Sequence, residues 1–86
     1  MRLRMPERSE GVSHAIVAEL VGNVMSVVVH EGAPVTAGDT IVILESMKME
    51  IPVLTEYDGV VRDLSVHVGE VVQEGDVLAV IDPVLA

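Results

Sequence analysis

The chain has 86 residues, 50% of them hydrophobic, with a single aromatic residue, no cysteine and a formal charge of −9. This length allows one domain of marginal stability, and its core must be aliphatic. The missing cysteines exclude disulfides and thiolate metal ligands, and the acidity argues against nucleic acid or an anionic membrane as partner.

Residues 1–14 are polar and of mixed charge, without periodicity, and read as a disordered tail. Met5 is a second candidate initiator. Arg2 and Arg4 are followed by Pro6-Glu7-Arg8-Ser9-Glu10 rather than an apolar run, so no secretory signal is visible. Nor is there an apolar run of the roughly 20 residues that a spanning helix needs. The expected location is the cytoplasm, and the expected domain is 15–86.

From Ala15 onward, short runs rich in Val, Ile and Leu are punctuated by glycine. β-branched residues favour strands, and no stretch shows the 3.6-residue helical period. The spacing predicts an all-β domain with strands near 15–20, 23–30, 40–45, 50–55, 59–67 and 77–82. Short pairings are expected near 34–35 and 71–72.

Two stretches repeat each other at an offset of 37 residues. Gly22, Val24, Val29, His30, Gly32, Val35, Gly38 and Asp39 recur as Gly59, Val61, Val66, His67, Gly69, Val72, Gly75 and Asp76. Such a repeat predicts two matching β-units that bury their apolar faces against each other around one core. Gly32, Gly38, Gly69 and Gly75 supply turns that need positive φ or close approach. Asp39 and Asp76 are expected to bond to turn amides.

Between the repeats lies Glu45-Ser46-Met47-Lys48-Met49-Glu50, which contains the chain's single lysine. One strand runs into this segment and another runs out, so Ser46–Met49 should form a tight, exposed hairpin tip. A lysine offers a primary amine for a stable amide bond and loses its charge on acylation. Taken alone, an exposed turn lysine is unremarkable. Here it is unique, sits at the join of a repeat, and is framed by two methionines too near the tip for both to reach the core.

The Met47-Lys48-Met49 frame, behind a small residue and a glutamate, resembles the biotin carboxyl carrier, or biotinyl, domain family over residues 15–86. The resemblance implies a flattened β-barrel of two four-stranded antiparallel sheets with quasi-two-fold symmetry. It implies covalent biotin on Lys48, with Met47 and Met49 recognised by a biotin protein ligase. Glu45, Ser46 and Glu50 fit the same hairpin context, although a solvated hairpin base explains the glutamates equally well. The family pattern usually has alanine where Ser46 stands.

As the resemblance implies, the protein is a non-catalytic carrier. It would shuttle carboxybiotin between a biotin carboxylase and a carboxyltransferase, with an acyl-CoA carboxylase the foremost system. The register of Gly22–Val28 leaves no room for the inserted thumb segment of some carriers. A thumbless carrier is therefore expected, and with no Pro/Ala-rich linker before the domain it should work as a separate subunit. Two alternatives stand beside it: a lipoyl carrier, disfavoured by methionine on both sides of Lys48, and an unmodified adaptor of the same fold.

No catalytic constellation is legible in the sequence. His30 and His67 occupy equivalent repeat positions, each two residues before a turn glycine, and neither has a third ligand placed for a metal.

Overall fold

The computed structural model describes residues 12–83. Eight strands follow one another: β1 (His14–Val17), β2 (Gly22–Val27), β3 (Pro34–Val35), β4 (Thr40–Ser46), β5 (Met49–Leu54), β6 (Gly59–Leu64), β7 (Val71–Val72) and β8 (Val77–Asp82). They form two four-stranded sheets, in the orders β1-β8-β6-β3 and β5-β4-β2-β7, with every pairing antiparallel. The expected two-sheet all-β architecture is therefore present. Among the described residues, no helix is long and apolar enough to cross a membrane.

The repeat runs further than the sequence motif indicated. Shifting β1 through β4 by 37 residues superposes them on β5 through β8, and the same shift converts one sheet order into the other. The two units are not separate sheets stacked face to face. Each sheet takes two strands from each unit, so the units are interleaved and neither has a complete sheet without the other.

The crossovers explain where the strand expectations overshot. The register shifts between Val24 and Ser26, β2 ends at Val27, and the chain then crosses to the other sheet, where the Gly32 amide bonds to the Val61 carbonyl at 2.7 Å. The second unit repeats this, and the Gly69 amide bonds back to Val24 at 2.8 Å. The predicted strands 23–30 and 59–67 therefore lose their last three residues to crossover. The predicted 15–20 stops at Val17 for the same reason.

At its start, β1 begins at His14, inside the segment read as tail. The Ser13 hydroxyl donates to Asp82, and Arg62 donates to Ser13 at 3.1 Å. Ser13 and His14 therefore belong to the folded unit, while residues 1–11 of the expected tail, including Met5, lie outside the described ones.

The core is aliphatic throughout. Ile41, Val42, Leu78, Ala79 and Ile81 are fully buried, and Val24, Leu44 and Val61 nearly so. Two consecutive residues, Ile41 and Val42, both face inward because a bulge lies between Thr40 and Val42; an added residue opposite one partner breaks the alternation of faces. Burying a side chain of this size contributes about 1.5–3 kcal/mol, so this interleaved core is the main source of stability.

Gly32, Gly38, Gly69 and Gly75 all have positive φ, between 89° and 97°, as the repeat predicted. The two Gly-Asp turns are built alike: Thr36 N–H donates to Asp39 Oδ2 at 2.9 Å and Gln73 N–H to Asp76 Oδ2 at 2.8 Å. A glycine at 59 is required for space rather than conformation, since a Cβ there would lie 2.0 Å from the Asp82 carbonyl oxygen.

Candidate functional site

Strands β4 and β5 pair from Thr40↔Leu54 to Ser46↔Met49, and that last pair closes on a two-residue loop, Met47-Lys48. Both strands run one residue closer to the tip than expected, so the turn is tighter than the four-residue tip read from the sequence. Met47 has φ 53° and Lys48 φ 64°. Two successive positive φ values in a two-residue hairpin are the signature of a type I′ turn, whose twist matches that of the flanking strands and which normally takes Asn-Gly. Here both positions carry long side chains, and left-handed backbone costs a non-glycine residue about 1–2 kcal/mol.

The base of the hairpin is held firmly. β4 lies between β2 and β5, and Leu44, 1% exposed, anchors it in the core. At the foot of the tip Glu45 pairs with Asn23 on one side and Glu50 on the other. A Cβ on Gly22 would stand 3.0 Å from the Glu45 carbonyl oxygen and 3.5 Å from Leu44, so glycine at 22 lets β2 approach this strand. The signal for Gly22 was present in the sequence as the partner of Gly59, but it carried no role there.

Lys48 is exposed at the apex, and among the described residues it has no ion-pair partner. Met47 is 90% exposed and Met49 63%, so neither methionine is core filler. Glu45 and Glu50 are exposed and directly opposite each other, and Ser46 is half-buried. The six residues singled out in the sequence thus meet at one tip.

The opposite pole is different. β5 runs away from the tip to Thr55 and Tyr57, where the Tyr57 ring stacks on His14 at 3.7 Å. The start of β1 therefore lies at the far end of the molecule from Lys48. Among the described residues no three His, Cys, Asp or Glu side chains are grouped so as to hold a metal ion. His30 and His67 are exposed turn residues in different units.

This arrangement presents the one side-chain primary amine on a two-residue hairpin loop at the end of the two-sheet fold. It fits a group attached through an amide: among the described residues Lys48 is exposed and has no ion-pair partner, so an acylating enzyme meets no obstruction from them.

Comparison with known proteins places the fold and the hairpin in a family. The profile of the family described as "Biotin-requiring enzyme" matches residues 2–81. A relative named as a homologue of the biotinylated protein TB7.3, from Mycobacterium leprae, is 56% identical over 64 residues, covering 74% of this chain and 90% of the relative. Another such homologue, from Mycolicibacterium smegmatis, is 68% identical but over 37 residues, 43% of this chain and 52% of its own length. The chain thus spans about half the length of that relative. The biotin-dependent acyl-coenzyme A carboxylase alpha3 subunit of M. leprae is 45% identical over 65 residues, 76% of this chain and 11% of that subunit. A solved single-chain, multi-domain long-chain acyl-CoA carboxylase matches with a TM-score of 0.79 and 30% identity over 98% of this chain and 8% of its own. The interleaved barrel, the hairpin and these matches together mean that the chain belongs to the biotinyl domain family, whose cofactor is covalently attached biotin.

Proposed function

We propose that Lys48 carries the biotin and that the protein is the carboxyl carrier of a biotin-dependent carboxylase, foremost one acting on an acyl-CoA. A single observation carries the assignment: the chain's one lysine stands at the exposed apex of the β4–β5 turn, with left-handed backbone and no ionic partner among the described residues. The carboxylase reading is supported by the likeness to the acyl-coenzyme A carboxylase subunit and to the multi-domain acyl-CoA carboxylase.

The residues divide the work simply. The neutral Lys48 Nζ attacks the activated carboxyl group of biotin in the active site of a biotin protein ligase; a C–N bond forms, the activating group leaves, and the amine gives up a proton. Bound there, biotin supplies a ureido nitrogen that takes up and releases a carboxyl group. The type I′ turn sets where the arm leaves the backbone, and buried Leu44 anchors the strand beneath it in the core. The carrier itself contributes no acid or base. Its contribution is effective concentration, because the tether keeps the reactive ring near a biotin carboxylase and a carboxyltransferase in turn.

The test is intact-mass spectrometry after incubation with biotin, ATP and a biotin protein ligase. One biotinyl increment on the wild type and none on Lys48→Arg is the expected result. Biotin on Lys48→Arg would move the site elsewhere, and a lipoyl increment with a lipoate ligase instead would replace the carrier chemistry.

A further inference from the structure

A groove runs along one side of the molecule, between the edges of the two sheets. Its walls are β1 and β5, the outermost strand of each sheet, which the 37-residue shift places in equivalent positions. The groove encloses about 560 Å³ and is lined mainly by aliphatic side chains. Sites that hold small organic ligands measure about 300–1,000 Å³. Leu20 and Val53 pack on the core and Ile51 pairs with buried Leu44, yet all three stay half-buried on the groove wall.

The repeat makes the two ends of this groove comparable. At the end far from Lys48, the Tyr57 ring stacks on His14 with centroids 3.7 Å apart. By the 37-residue relation Leu20 is the counterpart of Tyr57, and Ile51 is the counterpart of His14. A ring pair therefore fills the far end, while two aliphatic side chains line the end nearer the tip.

That nearer end lies within reach of Lys48. Ile51 is three residues further along the chain, roughly 10 Å of strand. A lysine extended by the pentanoyl chain and fused ring head of biotin is longer than that. The chemistry of the group matches as well. Its chain and thioether ring are apolar, like Leu20, Ile51 and Val53. Its ureido N–H groups need acceptors, and the Glu19 carboxylate on the groove wall is exposed and pairs with no cation of the described residues. An N–H donated to a carboxylate makes a stronger hydrogen bond than one between neutral groups. An added strand fits this groove less well, because Pro52 removes a backbone donor from β5, an edge strand.

We infer that the tip end of the β1–β5 groove, walled by Leu20, Ile51 and Val53 with Glu19 as acceptor, is a resting site for the biotin carried on Lys48. This inference rests on the proposed function and adds a second position for the same group. Between visits to its enzymes the arm folds back along the free edge of β5. The tether holds the ring at an effective concentration of about 1 mM, so an intrinsic dissociation constant of about 0.1 mM leaves roughly one arm in ten free. Every partner then competes with the groove, and its apparent affinity for the ring falls by the same fraction.

The test uses the full chain after biotinylation, with intact mass confirming one increment before any other reading. The rate at which streptavidin captures the ring reads the free fraction. Backbone amide shifts of the biotinylated protein against the unmodified one read where the ring lies. Leu20→Tyr places at the tip end the residue that its counterpart already carries. Glu19→Ala removes the acceptor at an exposed position. Capture should quicken about fivefold or more for Leu20→Tyr, within the tenfold that the free fraction allows, and several-fold for Glu19→Ala. Biotinylation should shift the amides of Leu20, Ile51 and Val53 in the wild type, and leave those of Ile51 and Val53 unmoved in Leu20→Tyr. Should Leu20→Tyr melt below the wild type, the Glu19→Ala rate decides. Equal capture rates for the wild type and the folded variants, or wild-type shifts confined to residues 46–49, overturn the resting site while leaving Lys48 as the attachment point. Capture that slows as protein concentration rises overturns it too and seats the ring in the groove of a second copy. A wild type that takes up no biotin brings down the function reading instead.

Discussion

Replacing Met47 by glycine should make the domain more stable and a poorer ligase substrate at once. Met47 has φ 53° and is 90% exposed, so its backbone is strained while its side chain contributes almost no burial. Relief of the left-handed strain is worth about 1–2 kcal/mol. Glycine also adds freedom to the unfolded chain, which takes back about 0.4–1 kcal/mol. The difference is a net gain between about 0 and 1.6 kcal/mol, centred near about 0.8 kcal/mol. For a domain of this size the central value corresponds to a rise of roughly 3–6 °C in melting temperature. Calorimetry or circular dichroism on the apo protein measures the gain, and acceptor kinetics with a biotin protein ligase measure the loss, expected as a higher KM. A Met47→Gly protein that melts below the wild type would refute the strain argument. One that is biotinylated with unchanged KM would remove methionine 47 from recognition.

Two further predictions concern the scaffold. Gly59→Ala should cost about 1–3 kcal/mol through overpacking, because its Cβ would meet the Asp82 carbonyl oxygen at 2.0 Å and the fully buried Ile81 side chain at 2.8 Å; a urea midpoint equal to the wild type's would show that β6 and β8 separate freely there. Thr55→Val, at a position 1% exposed, should cost about 1–3 kcal/mol by leaving the Tyr57 amide without its 3.0 Å acceptor. A Thr55→Ser protein should recover most of that stability, and failure to do so would mean that the methyl group rather than the hydroxyl carries the effect.

Much of this fold was legible because the chain states it twice. The glycines at 32, 38, 69 and 75 marked turns correctly because positive φ is a local demand that few residues meet. The short apolar runs between glycines located all eight strands. Strand ends were less accurate, since residues 28–30 and 65–67 look like strand in composition, and only the crossover between sheets removes them from the ladders. The pairing of units was also hidden. Ile51-Pro52-Val53-Leu54 and His14-Ala15-Ile16-Val17 share too little sequence to declare themselves equivalent, yet β5 and β1 hold matching places in their sheets.

For the site the division is similar. A unique lysine between two methionines at the join of a repeat is a statement about side-chain chemistry, and composition alone exposes it. The sequence by itself thus determined the all-β class, the turn positions and the single lysine side chain at the join of the repeat. Only the tertiary structure decided that Met47 and Lys48 are both left-handed, that Glu45 faces Glu50, and that Leu20 and Ile51 line the groove end nearer the tip while Tyr57 and His14 stack at the other. The physical reason is that strand register, bulges and sheet order are settled by burial shared among distant segments, and a linear pattern does not record which of its matching positions end up beside the tip.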